Sequence, residues 1–201
     1  LVRSICHLDF IDNSAVKISA YPLSSKNRWL VRPVCAGAYH HWLIEPASLT
    51  ARLQAKAKKF SVRALSVRNS KPLQDEVSPL ALIPNQFILS RDVLLLDGNI
   101  PLVFAHSVLP HKSLRGIWRG LSRLGNQSLG AALFSDPRVT RTSLQFKKVG
   151  KHHPLYQKAS QHFSSSLPTA LWARRSIFYL NTASRCYAIM VTEVFLPKIL
   201  D

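Results

Sequence analysis

The tripeptide Asp97-Gly98-Asn99, set between two apolar runs, constrains the fold of this chain more than any other feature. Residues 87–96 and 102–109 are rich in Leu, Val, Ile and Phe. Asp-Gly between such runs marks a tight β-hairpin, because glycine accepts the positive φ that the turn requires. A two-stranded hairpin is marginal alone, so further strands or helices must cover its apolar residues.

The chain supplies them. Residues 60–67 alternate as a strand does, with Phe60, Val62 and Ala64 against Ser61, Arg63 and Leu65. Residues 172–180 and 186–196 read as two strands around a turn at 181–185, and 141–148 as another. Ser48 is placed to cap a helix whose apolar positions include Leu49, Leu53 and Ala57, with Lys56, Lys58 and Lys59 near its end, where cations suit the helix dipole. Short helical segments are expected at 114–124 and 129–134, broken at Gly125 and ended by Asp136-Pro137. The three prolines within 71–84 make that stretch a loop, and 154–168 reads as helix or loop. Strands in hairpin order with a helical insertion give an α+β domain on an antiparallel sheet of five or six strands. Residues 1–38 are weakly patterned and are read as an extension of unknown structure, leaving 39–201 as the domain.

Charge narrows the partners. The chain has 27 Lys and Arg against 10 Asp and Glu, a net charge of +17. Between Lys112 and Lys158 there are 10 basic residues and 1 acid, Asp136. Such a surface attracts nucleic acid, acidic headgroups or small acidic substrates, and is in the bland case only a solvated face. Zinc spacings, an aromatic RNA-binding signature and a basic helix running into heptads are all missing, so no specific nucleic-acid binding is expected. Cys6, Cys35 and Cys186 are widely spaced, which fits neither a disulfide framework nor a zinc site and favours a reducing compartment. No apolar run reaches transmembrane length and no signal peptide is legible, so a cytoplasmic protein is expected.

Strand parity supplies the first candidates for a site. Arg91 shares parity with Phe87, Leu89, Val93 and Leu95, and Glu193 with Ile189, Val191 and Phe195. A charge on an apolar face costs several kcal/mol, on the order of the penalty for a buried ion, unless it is paired or bound. The two charges pair with each other, or one of the faces is wet, or they line a cavity, where Arg would hold a ligand carboxylate through its planar fork and Glu would accept from a hydroxyl.

Other polar residues fit structural roles at least as well. His106, inside the second hairpin strand, is read as a buried group with a local partner. The pairs His40-His41 and His152-His153 are chain neighbours that share no face and make a poor metal site. Arg174-Arg175, taken to begin a strand, sends one side chain to each face, so one of them is available to a cavity mouth or a second carboxylate. Trp118 and Trp172 fit a core. Gly116, Gly120, Gly125 and Gly130 lack the strand and helix context of a dinucleotide loop.

Five blocks then occur in order. They are Arg91-Asp92-Val93-Leu94-Leu95 with Asp97-Gly98; Phe104-Ala105-His106-Ser107-Val108-Leu109-Pro110; Leu124-Gly125 with Ser128-Leu129-Gly130 and Leu133-Phe134; Leu171-Trp172-Ala173-Arg174-Arg175-Ser176; and Val191-Thr192-Glu193-Val194-Phe195-Leu196-Pro197. Together with Trp42-Leu43 and Ser48-Leu49-Thr50 they resemble the bacterial chorismate pyruvate-lyases from about Trp42 to Pro197. The resemblance implies an antiparallel sheet of about six strands with helices on one side, and an internal cavity closed by helical flaps. It implies a lyase that converts chorismate to 4-hydroxybenzoate and pyruvate, the first step of ubiquinone biosynthesis, without metal or organic cofactor. By the same resemblance Arg91 holds the product carboxylate, the Leu129 amide assists it, Glu193 meets the phenolic hydroxyl and Leu49 covers the site. A monomer with at most loose contact to acidic membrane is expected. The main rival is a non-catalytic domain of the same fold that senses a small aromatic acid.

Overall fold

The computed structural model describes residues 28–83, 85–114, 117–163, 166–182 and 185–201. Residues 1–27, most of the expected extension, lie outside the described residues, as do Cys6 and Gly116. Within 28–38, Trp29 and Ala36 are buried and Leu30 forms an isolated bridge with Phe146.

In chain order the regular elements are α1 (His40–Leu43), α2 (Leu49–Lys56), β1 (Phe60–Ser70), α3 (Gln74–Val77), β2 (Ile88–Asp97), β3 (Ile100–Leu109), α4 (Leu129–Phe134), β4 (Val139–Arg141), β5 (Gln145–Gly150), α5 (Pro154–Ser160), β6 (Ala170–Asn181) and β7 (Cys186–Phe195). Tight 3₁₀ helices cover His111–Leu114 and Ile117–Arg123. The seven strands form one antiparallel sheet in the order β1-β2-β3-β7-β6-β4, with β5 also paired to β6.

The hairpin forms where the sequence places it. Asp97 pairs with Ile100, leaving Gly98 and Asn99 as a two-residue turn with Gly98 at φ +58°. Glycine at the first central position meets that angle without the Cβ clash that another residue would bring. The Asp97 carboxylate accepts from the Lys58 and Lys59 amides, which ties the turn to the chain entering β1. Ser48 caps α2 by accepting from the Ala51 amide. The strand expected at 141–148 is divided into β4 and β5, because the Thr142 hydroxyl takes the Ile177 amide that a continuous ladder would use.

Both faces of the sheet are apolar. On one, Val93, Leu95, Val103, Ala105, Trp172 and Phe195 pack against Trp42 and Leu43 of α1 and Leu49 and Leu53 of α2. Further along it, Phe178, Leu180 and Ile189 meet Leu129 and Leu133 of α4. On the other face, Leu94, Leu96, Phe104, Ala173 and Val194 pack under Leu155, Tyr156 and Ala159 of α5. The α+β class and the antiparallel sheet match the sequence reading, while helices expected on one side occur on both. β2 and β6 are buried at both parities, and a sheet with two apolar faces needs a cover on each.

Candidate active site

A small cavity lies on the α2–α4 face, at the middle of the sheet. Its floor is Arg174, Ser176 and Phe178 from β6 and Val191 and Glu193 from β7. Its roof is Ser48, Leu49 and Thr50 at the start of α2, with Gly130 and Phe134 of α4, and Arg141 of β4 closes one side. The empty space among these residues is about 290 Å³, part of it continuous with solvent, and about 20 Å³ of it can hold the centre of a water-sized sphere. That is roughly the room one water needs.

The two roof helices are joined. Thr50 Oγ1 and Ser128 Oγ lie 2.9 Å apart in a hydrogen bond, and Ser128 also caps α4 by accepting from the Ala131 amide. A Cβ at position 130 would meet both hydroxyls in ordinary van der Waals contact, at 3.6 and 3.7 Å, so the joined helices leave room there for an alanine.

Arg174 is fully buried at the floor. Its Nε donates to Glu193 Oε2 at 2.5 Å, and its Nη1 donates to the carbonyls of Trp42, Leu43 and Glu45 at 3.1, 3.2 and 2.8 Å. Those carbonyls are around the C-terminal end of α1, where helical acceptors go unmet by the helix itself. Glu193 therefore pairs with its cross-strand neighbour Arg174. It does not pair with Arg91, which settles the alternative left open by parity.

Arg91 projects from the same face. Arg91 and Val191 occupy one rung of the sheet, with Ser107 between them. Two strand spacings, roughly 10 Å, separate β2 from β7. The Arg91 guanidinium donates from Nη2 to the carbonyls of Gly125 and Gln127, at 2.9 and 2.6 Å, in the loop that leads into α4. Its Nε is buried without a hydrogen-bond partner, and among the described residues Arg91 makes no ion pair. Burial pushes its pKa down. Leu129 is the first residue of α4, its side chain buried beside Leu133, Trp118 and Phe178. Its amide is among the donors that a helix cannot satisfy from within. Arg91 and Leu129 flank the cavity without forming its wall, whereas Leu49 and Glu193 line it.

Arg141 was missed by the sequence reading, and Arg174 was weighed only as one of a pair at a strand start. Both sit inside the strand ladder. Arg174 shares parity with Trp172 and Phe178, so the test that singled out Arg91 also singles out Arg174. Arg141 ends a three-residue strand, too short for parity to assign a face.

Arg175 points to the opposite face, into a buried ion network. His106 lies there between Asp92 (Nδ1 to Oδ1, 2.5 Å) and Glu76 (Nε2 to Oε1, 3.2 Å), and Lys158 of α5 reaches Asp92 at 2.9 Å. Burial disfavours the charged imidazole, but the hydrogen bonds and charges of the two carboxylates outweigh it and raise the His106 pKa to about 9. Asp75 accepts from Trp29 Nε1 at 2.7 Å, with Lys147 at 3.4 Å and Arg175 Nη1 at 4.0 Å. Burial raises its pKa, and His153, Trp29 and these cations together hold it well below the usual carboxylate range. His106 thus has the local partners its position implied, and His153 serves this network. No group of three His, Cys, Asp or Glu able to hold a metal ion occurs among the described residues. No helix among them is long and apolar enough to cross a membrane.

A family model described as chorismate lyase matches residues 32–201. The chain is 45% identical over 175 residues to a probable chorismate pyruvate-lyase of Methylobacillus flagellatus, covering 87% of this chain and 96% of that one. It is 43% identical over 172 residues to the protein of the same name in Nitrosomonas europaea, covering 85% and 94%. Among solved structures it is similar to the effector domain of PhnF from Mycobacterium smegmatis, with a TM-score of 0.52 and 13% identity over 76% of this chain and 90% of that one. A GntR-family transcriptional regulator from Bacillus cereus gives a TM-score of 0.52 at 14% identity, over 70% and 94%. At these identities the two structures share a fold with the chain and nothing more.

Proposed function

The chain belongs to the chorismate lyase family, and from that premise we propose that it cleaves chorismate to 4-hydroxybenzoate and pyruvate, feeding ubiquinone biosynthesis. Chorismate carries a ring carboxylate and, beside its hydroxyl-bearing ring carbon, an enolpyruvyl ether. In the proposed reaction the ring–oxygen bond of that ether breaks. The hydrogen on the hydroxyl-bearing carbon passes to the enolpyruvyl methylene, so that pyruvate leaves and the ring becomes aromatic with its hydroxyl kept. The driving force lies in the substrate, and the protein's part is to hold the reactive geometry and meet the shifting charge.

The observation that carries this reading is the buried Nε of Arg91, a cationic donor without an acceptor, as is Nη2 of Arg174 in the cavity floor. Buried donors are otherwise almost always met, and a planar carboxylate is the acceptor that fits a guanidinium edge. Arg91 then holds the ring carboxylate and the Leu129 amide adds a neutral donor. Glu193, kept in place by Arg174, accepts from the ring hydroxyl, and Leu49 closes the chamber above the ring. No metal or organic cofactor enters the scheme.

The test is turnover of chorismate by the purified protein with a chelator present, quantifying both products. Equal amounts of 4-hydroxybenzoate and pyruvate are expected. Saturable 4-hydroxybenzoate binding without turnover would overturn the lyase reading in favour of a sensing domain of the same fold. Loss of activity on chelation would overturn the cofactor-free scheme.

A further inference from the structure

Three cavity-face charges have an assignment in the proposed reaction, and a fourth does not. Arg141 ends β4 opposite Phe178. Its Nε donates to Ser176 Oγ at 2.7 Å and its Nη1 to the Pro46 carbonyl at 2.9 Å. The guanidinium stands 5.4 Å from the Phe134 ring centre and 5.3 Å from that of Phe178. Among the described residues no carboxylate forms an ion pair with it and no acceptor takes its Nη2. The other two charges in the cavity lining, Arg174 and Glu193, neutralise each other at 2.5 Å. Arg141 is therefore the unbalanced charge of a nearly closed chamber. Burial is also the main reason its pKa falls to about 10, with Arg174 adding to the fall and Glu193 opposing it.

An uncompensated, partly desolvated cation is costly in the empty site and gains most from an anion that brings its own charge. Arg91 and Arg141 stand on β2 and β4, with β3, β7 and β6 between them, so they flank the site from opposite sides. Counting Arg174 and Glu193 as well, the site has three cations against one anion, an excess that matches a substrate with two carboxylates. Arg175, the other half of the pair considered for a second carboxylate, is excluded because it faces the reverse side of the sheet. Arg174 is engaged by Glu193 and three carbonyls through its Nε and Nη1, which leaves only its buried Nη2 without a partner and its charge already balanced by Glu193.

We propose that Arg141 receives the enolpyruvyl carboxylate, and is the residue by which the site separates the two-carboxylate substrate from its one-carboxylate aromatic product. The proposal rests on the lyase reading. Its consequence is specific: the contact exists with chorismate, passes to pyruvate on cleavage and is absent with 4-hydroxybenzoate.

The experiment compares Arg141→Gln and Arg141→Lys with the wild type, measuring kcat and KM for chorismate and Kd for 4-hydroxybenzoate. Arg141→Gln should raise KM for chorismate by roughly thirty-fold or more, the scale of truncating a desolvated charge pair. Arg141→Lys should recover part of that loss, and 4-hydroxybenzoate affinity should stay within about three-fold of wild type in both, since no charge contact is removed from that ligand. Equal losses for both ligands would make Arg141 a structural residue, and an unchanged KM would remove it from recognition; either result overturns the proposal. If Arg141→Gln does not fold, the Lys variant decides on the same ratio. If the wild type fails to turn chorismate over, the lyase reading falls. The Kd of chorismate relative to 4-hydroxybenzoate then tests Arg141 directly.

Discussion

Arg91 and Asp92, neighbours on β2, send their side chains to opposite faces of the sheet. One goes to the cavity face, where it holds the loop before α4; the other enters the ion network of His106 and Lys158. A single strand therefore carries a buried charge to each face of the sheet, each held by its own polar contacts.

Arg91→Ala should lower kcat/KM for chorismate by an amount equivalent to about 2–5 kcal/mol, or roughly thirty-fold to several thousand-fold. Arg91→Lys keeps the charge without the fork and should fall between. Steady-state kinetics on the two variants decide it, and near-normal kcat/KM in the Ala variant would falsify the assignment of Arg91.

His106 makes stability depend on pH. Its pKa is raised from the ordinary 6.5 to about 9, so its contribution is complete below pH 6.5 and is lost as pH rises through about 9. Asp92 is lowered from 3.8 to about 2, and its contribution is complete above pH 3.8 and lost as pH falls through about 2. The melting temperature should hold between these limits and decline from pH 7 to 9.5. His106→Gln should melt lower at pH 7 and show a flatter profile above it; an unaltered decline would mean that other groups cause it.

The roof hydrogen bond between Thr50 and Ser128 can be removed with little change of shape. Thr50→Val should speed release of 4-hydroxybenzoate several-fold in stopped-flow displacement, in line with about 1 kcal/mol for one hydrogen bond. A release rate equal to wild type would show that the seam does not govern opening.

Leu49 is 2% exposed and lies over the cavity. Leu49→Met conserves volume and should cost under about 1.5 kcal/mol in stability with turnover retained. Leu49→Ala should cost about 2–5 kcal/mol and weaken 4-hydroxybenzoate binding. Thermal denaturation and ligand titration read both effects.

Local rules made the sheet legible. Asp-Gly between two apolar runs set the hairpin of β2 and β3, Ser48 set the start of α2, and alternation marked β1. The two-residue parity of a strand put Arg91 and Glu193 each on an apolar face before any strand order was known. It could not say what each would touch, because the partner of Glu193 depends on β6 lying beside β7, and that of Arg91 on a loop 34 residues away. Helix placement on the second face was missed because strands buried at both parities show no alternation to read. Arg141 escaped for a different reason. Its strand is short and interrupted by a side-chain hydrogen bond, so its role emerges only from the aromatic rings and carbonyls gathered round it.

The small volume beneath the α2–α4 seam bears on chemical selectivity. An enol ether has two routes to pyruvate: loss of hydrogen from the ring, which yields the aromatic acid, and addition of water, which leaves a dihydroxylated diene. A chamber with space for about one water centre admits little solvent to the reacting atoms. Tightness of the roof would then set the ratio of aromatic acid to diol, and a loosened variant such as Leu49→Ala should form pyruvate in excess over 4-hydroxybenzoate.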